Sequence, residues 1–293
     1  MREYIKRILR HIYHFFRLLW LVNWRATIRL NFRKLPFSTA CKLPILVYGK
    51  LKIYDLSGRI IIRGPVCRGL VKVGRNVDSH YSTCLPGQWT ISHDLIFNGH
   101  IMISGGVTIE TYKGPLELGR CCVIGSGTML KSQYGIIIGD FTRIAYGCVI
   151  MDTNMHFIKD IETGRIGRVT GPIVIGQRCW LNPGTVVSKN AVVPDYTITG
   201  RNSLVNKDYS EQYTSHAFIA GAPAKPVSYH VQRIFSNQME GDLRRYFEEN
   251  GTRIVFQGVK GEEEDPYEEI VGMDPLLHLS FPETQSGFRL LQN

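Results

Sequence analysis

Aliphatic side chains recur every six positions through the middle of the chain. Leu118, Ile124 and Leu130 form one run, Ile138, Ile144 and Ile150 a second, and Ile175, Leu181, Val187 and Val193 a third, with Thr199 and Val205 holding the same register. Glycine follows the aliphatic residue at Gly119, Gly125, Gly139 and Gly176. A helix returns to one face about every 3.6 residues and a strand alternates at every second residue, so a period of six belongs to neither. It predicts an all-β solenoid. Each hexad supplies a short strand with one inward aliphatic side chain, then a corner where glycine or a small residue permits a tight turn. Stacking of coils pairs the backbone groups that a lone coil leaves bare. Residues 43–117 mix apolar residues with glycines at uneven spacing, among them Gly58, Gly64, Gly69, Gly74, Gly99, Gly105, Gly106 and Gly114, and read as less regular coils of the same body.

Between Ile150 and Ile175 the register jumps by 25 residues, one hexad plus 19. A loop, 151–172, is therefore extruded from the solenoid. It begins Met151-Asp152-Thr153-Asn154-Met155-His156-Phe157-Ile158-Lys159-Asp160. Imidazole, with an ordinary pKa of about 6.5, can take a proton from a hydroxyl at neutral pH, which makes His156 a candidate general base.

A different pattern precedes the repeats. Apolar residues at Ile5, Ile8, Leu9, Ile12, Phe15, Phe16, Leu19 and Val22 fall at helical spacing, with Lys6, Arg10 and Arg17 on another face. The apolar run Leu18–Val22 is too short to span a bilayer and carries no cleavage signature of a secretory leader. Two readings stay open for this basic amphipathic helix: a segment (residues 1–35) lying on an anionic membrane surface, or one packed on the domain or a neighbouring subunit. After the repeats, Val231, Ile234, Phe235, Leu243 and Phe247 suggest a helix within 228–250. The acidic Glu262-Glu263-Glu264-Asp265 belongs to an extended tail. The division is thus 1–42, 43–227 and 228–293.

Composition narrows the classes. With 293 residues, 44% hydrophobic and 20% charged, the chain has the makeup of a folded globular protein. Seven cysteines without CxxC spacing indicate neither a disulfide framework nor a zinc site, and a reducing compartment is expected. The net charge of +10 is no nucleic-acid footprint, because residues 1–42 hold ten Lys/Arg against Glu3 alone, leaving +1 for the remainder.

The repeat resembles that of the hexapeptide-repeat acyltransferases, with their [LIV]-G-x-x-x-x pattern. The resemblance implies a left-handed parallel β-helix with three hexads per turn; the handedness comes from the family, since crossovers are otherwise right-handed. The segment Asp152–His156 is similar to the extruded loop of the maltose and galactoside O-acetyltransferase branch and of capsular-sugar acetyltransferases. This implies His156 as base, with Asp152 or Asp160 as candidates to orient its ring. Ile175-Gly176-Gln177-Arg178-Cys179-Trp180-Leu181-Asn182-Pro183-Gly184 resembles the family's IGxxxWIGxG coil, Val205-Asn206-Lys207-Asp208 its VTKD, and Ala220-Gly221-Ala222-Pro223-Ala224-Lys225 its closing AGxPAK. Carried over residue by residue, Trp180 matches the family tryptophan, Pro183 and Arg201 line a pantetheine groove, Asn206 and Lys207 lie near the distal coenzyme, and Lys225 faces its phosphates.

The same resemblance implies an acetyl-CoA-dependent homotrimer with no metal. The acceptor expected with it is a carbohydrate, an envelope or capsular glycan precursor; the cysteine usage and the basic N-terminus point to the cytoplasm or, peripherally, to the inner face of the membrane. Three departures stand out: the Asn expected on the preceding coil is missing from Gly125-Ser126-Gly127-Thr128, Pro183 and Arg201 replace the smaller residues more common in the family, and 209–218 lengthens the link to the closing motif. Three alternatives are N-acylation of an amino or nucleotide sugar, a γ-carbonic-anhydrase-like zinc protein and a non-catalytic hexapeptide protein.

Overall fold

The computed structural model describes residues 16, 20–75, 85–251 and 255. His80, most of the 5–22 stripe and the acidic 262–265 run lie outside them. The chain divides into two compact units, Met1–Val231 and Gln232–Asn293.

The first unit is a solenoid of short strands. β1 (Ile45–Val47), β2 (Leu51–Asp55) and β3 (Ile60–Ile62) make one coil, β4 (Val71–Val73), β5 (Gly87–Ile91) and β6 (Leu95–Phe97) the next, and β7 (Ile101–Ile103), β8 (Thr108–Thr111) and β9 (Leu116–Leu118) the third. The fourth holds β10 (Cys122–Ile124), β11 (Met129–Ser132) and β12 (Ile136–Ile138), and the fifth β13 (Arg143–Ile144), β14 (Val149–Met151) and β15 (Ile173–Ile175). β16 (Trp180–Leu181), β17 (Val186–Ser188) and β18 (Val192–Val193) complete the sixth, and β19 (Ile198–Thr199) and β20 (Leu204–Val205) begin a seventh. An antiparallel hairpin, β21 (Ala217–Gly221) and β22 (Ala224–Tyr229), ends the series.

From β1 to β17, each strand pairs in parallel with the strand three further on. Three sheets result: a first from β1 to β19 extended by the hairpin, a second from β2 to β20 and a third from β3 to β18. This is a parallel β-helix. All twelve residues of the six-residue register point inside, each no more than 2% exposed.

The glycines act differently from the turn role expected of them. Gly119, Gly125 and Gly139 have ordinary backbone angles, but a Cβ on each would lie 2.5 Å from backbone atoms of the next coil: Asp140 N, Ala145 C and Gln177 N respectively. Close stacking, not the turn, excludes a side chain there. The turn is made two residues later, where Cys121, Phe141, Arg178 and Tyr196 all adopt the left-handed conformation with φ between +53° and +58°.

Both ends of the core are capped. Helix α1 (Trp24–Lys34) starts at Asn23, whose side chain accepts from Ala26 N, and stops before Pro36. It lies against the free edge of β1. There the Asn31 side chain exchanges both amide bonds with Ile45 (2.7 and 3.1 Å), and Thr27 Oγ1 accepts from Val47 N at 3.0 Å. These contacts satisfy the strand edge that no further coil covers. A short helix, α2 (Phe37–Ala40), leads into the first coil. At the other end, Tyr209 and Tyr213 fill the core, their hydroxyls bonded to Ala224 O (2.9 Å) and Thr197 Oγ1 (3.0 Å). The long 209–218 link is thus a plug. The unit that contains the repeats therefore extends beyond 43–227, from α1 to Val231.

In the second unit, helix α3 (Asn237–Glu249) is capped by Ser236, whose hydroxyl accepts from Met239 N. It begins later than the apolar pattern suggests. No helix among the described residues is long and apolar enough to cross a membrane.

Candidate active site

The extruded segment is a two-stranded ribbon. Thr153 pairs with Thr170 and Lys159 with Ile166, both antiparallel, and Asn154 N donates to Val169 O at 2.9 Å. Asp160 builds the tip: its Oδ1 accepts from the Glu162 and Thr163 amides at 2.9 and 2.8 Å, bonds that hold its carboxyl below the usual carboxylate range. That side chain does not orient His156.

His156 stands at the ribbon's base. The Thr153 hydroxyl accepts from Met155 N (3.0 Å), Met155 takes φ +63°, and His156 N donates to Asn154 O (2.7 Å). This tight turn throws the imidazole outward, exposed and without a hydrogen bond to the described chain. His100 offers a contrast: burial first, then nearby cations, push its pKa down to about 3, too weak a base for hydroxyl activation at neutral pH.

Asp152 is wholly buried and faces away from the ribbon. The corner it serves, Ser132–Gly135, is two residues longer than the hexad allows, since Ile138 follows Leu130 by eight positions. Asp152 accepts from the amides of Gln133 (2.7 Å), Tyr134 and Gly135 (both 2.8 Å), with Ser132 Oγ at 3.3 Å. Gln133 Nε2 in turn meets Met155 Sδ at 3.7 Å. Asp152 thus braces the platform next to His156 and does not touch its ring. As an acid of the extruded loop Asp152 was a candidate to orient the ring; the amides of the widened corner claim its carboxylate instead.

Four of the six coenzyme candidates separate onto two corners flanking the second sheet, and Trp180 and Lys225 lie on strands of the first. Between the first and second sheets, Asn202 N donates to Pro183 O (3.0 Å) and Arg201 reaches back to donate to the Tyr146 hydroxyl at 2.7 Å. Pro183 and Arg201 are therefore brought together. Tyr146 joins them and was missed, although it stands two residues after the register position Ile144, as Pro183 does after Leu181 and Arg201 after Thr199.

Asn206 and Lys207 occupy the corner between the second and third sheets, from which the ribbon also leaves. Lys189 lies between, bonded to Arg168 O. Lys207 Nζ sits 5.3 Å over the Tyr209 ring. Trp180, half-buried in β16, is flanked by Arg143 and Ile198 on the first sheet. Lys225 is exposed on β22, opposite Ala220. Arg201, Lys207 and Lys225 have no acidic partner among the described residues, so three cations at this end of the solenoid are available to an anion.

Other chemistries have less to work with. Burial pushes the thiols of Cys121, Cys122, Cys148 and Cys179 up to about 12, leaving essentially no thiolate for nucleophilic attack. Among the described residues, no group of three His, Cys, Asp or Glu side chains is placed to hold a metal ion.

No family model and no curated protein sequence matches the chain. Among solved structures it is similar to that of the polySia-specific acetyltransferase NeuO, at 17% identity and a TM-score of 0.49 over 71% of this chain and 98% of that one. It is also similar to the polysialic acid O-acetyltransferase OatWY, at 17% identity and a TM-score of 0.38 over 66% of this chain and 96% of that one. A further similar structure is AntD, an N-acyltransferase from Bacillus cereus in complex with dTDP and 3-hydroxybutyryl-CoA, at 13% identity and a TM-score of 0.37 over 72% and 89%.

Proposed function

We propose that the chain is an acetyl-CoA-dependent O-acetyltransferase acting on a carbohydrate hydroxyl, with His156 as general base. The observation that carries this reading is the unengaged, exposed imidazole on a braced ribbon, at the corner that continues through Lys189 to the acid-free Lys207. The reaction needs no covalent enzyme intermediate. An imidazole nitrogen takes the sugar hydroxyl proton as that oxygen attacks the thioester carbonyl carbon. The tetrahedral oxyanion collapses with cleavage of the C–S bond, and the leaving sulfur receives the proton from the imidazolium. Products are an acetyl ester and coenzyme A, and the histidine is restored.

Acetyl-CoA would lie with its pantetheine along the Tyr146, Pro183 and Arg201 corner and its phosphates toward Lys207 and Lys225, each a rotatable point charge, so that the thioester meets the His156 of a neighbouring copy. The ribbon exposes Met155, Phe157, Ile158, Ile161 (93%) and Ile166, an apolar surface that a neighbouring copy would cover. This supports a homotrimer in which the neighbour completes the acceptor cleft.

Release of thiol from acetyl-CoA, followed against a panel of hydroxyl and amino sugars, tests the reading. His156→Ala should lower kcat by about 10²–10⁴-fold with an unchanged melting temperature. Turnover equal to wild type would remove His156 as the base, and turnover confined to amino sugars would replace O- by N-transfer.

A further inference from the structure

Helix α1 carries three lengthwise stripes. Ala26, Thr27, Leu30 and Asn31 are buried against the first coil. Trp24, Ile28 and Phe32 follow one another at four-residue spacing and are 41%, 50% and 45% exposed. Arg25, Arg29 and Arg33 run alongside, also exposed. The apolar stripe is broadened at both ends. Phe37, 75% exposed, meets Phe32 edge-on with centroids 6.0 Å apart, and Trp20, just ahead of the helix, is 90% exposed.

A helix that only caps the solenoid needs one apolar stripe, and Leu30 with its polar neighbours already supplies it. The second stripe is left bare to solvent. α1 contains no acidic residue, within a segment, 1–42, of net charge +9.

The pairing of aromatic rings with an adjacent row of guanidinium groups selects among occupants. A second copy docking the same face onto itself would set arginine row against arginine row. An acidic soluble protein would answer the charges but leave Trp20 and Phe37 without an apolar seat. The interface of an anionic bilayer answers both, taking aromatic side chains at the headgroup boundary and guanidinium groups at the phosphates. Asn31 and Thr27 already fix the helix to β1, so docking demands no folding step.

We propose that the outer face of α1, with Trp20 and Phe37, is a docking surface for a bilayer containing anionic phospholipids. Docking there requires nothing of the acyl-transfer site. It narrows the broader expectation of membrane contact through residues 1–35 to one helix face.

The full-length chain is co-sedimented with vesicles of phosphatidylcholine alone and of phosphatidylcholine mixed equally with phosphatidylglycerol. Binding should be at least about ten-fold tighter to the mixed vesicles and weaken as salt is raised. Combined Trp24→Ser, Ile28→Ser and Phe32→Ser, and separately combined Arg25→Glu, Arg29→Glu and Arg33→Glu, should each weaken it by about ten-fold with an unchanged circular dichroism spectrum. Any of four results overturns the proposal: no vesicle binding, equal binding to both vesicles, wild-type binding by the serine variant, or loss in that variant of self-association rather than of vesicle binding. Thioester cleavage with a soluble acceptor, measured on the same variants, reports on acyl transfer independently.

Discussion

The wall of the solenoid and the ribbon that leaves it are built on opposite terms. In the wall, every register residue is enclosed and the strands' backbone amides bond to the coil before or after. Across the ribbon, residues 154–168 are all exposed, and order comes from two antiparallel bridges and the side-chain-made turns at Thr153 and Asp160. A periodic wall has no room for a long projecting segment, so the one that carries His156 emerges where the period stops. The cost is that the ribbon takes rigidity from the core only at its root. Asp152, buried at the junction, is where the wall lends stiffness to the ribbon through the Ser132–Gly135 corner.

This division can be probed from the wall outward. Leu181→Ala should cost about 2–5 kcal/mol in urea unfolding, because a fully enclosed side chain leaves a cavity between stacked coils that cannot close. The loss should come with a lowered denaturation midpoint while the folded fraction keeps its KM for acetyl-CoA. Asp152→Asn should cost about 1–3 kcal/mol, since one amide oxygen cannot serve three backbone donors. It should also reduce kcat without moving the pH–rate profile, the mark of a positioning residue; a displaced profile would make Asp152 a direct partner of the base. Ile161→Ser, at the far reach of the ribbon, should change monomer stability by less than about 0.5 kcal/mol. Its effect should surface instead as weaker subunit association in analytical ultracentrifugation.

The wall was legible because its demand is chemically simple: one aliphatic residue per strand, facing in. Leu118, Ile150 and Val205 could be placed from spacing alone. The same simplicity hid whatever holds the fold by polar contacts. Thr27 and Asn31 cap the first strand with hydrogen bonds, and hydrophobic periodicity passes over such residues. Tyr209 and Tyr213 plug the far end from a stretch that looked like surplus linker. The glycines were found, but their reason was not, since the approach of Gly139 to Gln177 is a contact between coils and no local pattern records it. For the site, the jump in register marked the ribbon and His156. The role of Asp152 was hidden because its partners lie in the preceding coil.

The stacking also makes the protein a ruler. Successive strands in a sheet are separated by about 4.8 Å, and only in such whole steps can a residue move along the axis. The ribbon leaves the fifth coil and α1 covers the first, so the root of the ribbon that carries His156 stands about 20 Å along the axis from the capped end. Insertion or deletion of one complete coil between them would raise or lower that height by a single step and leave the local chemistry unchanged. On the proposed docking and acyl transfer, the number of coils, set far from any reacting atom, would fix how far an acceptor anchored at the α1 end must extend to reach the histidine.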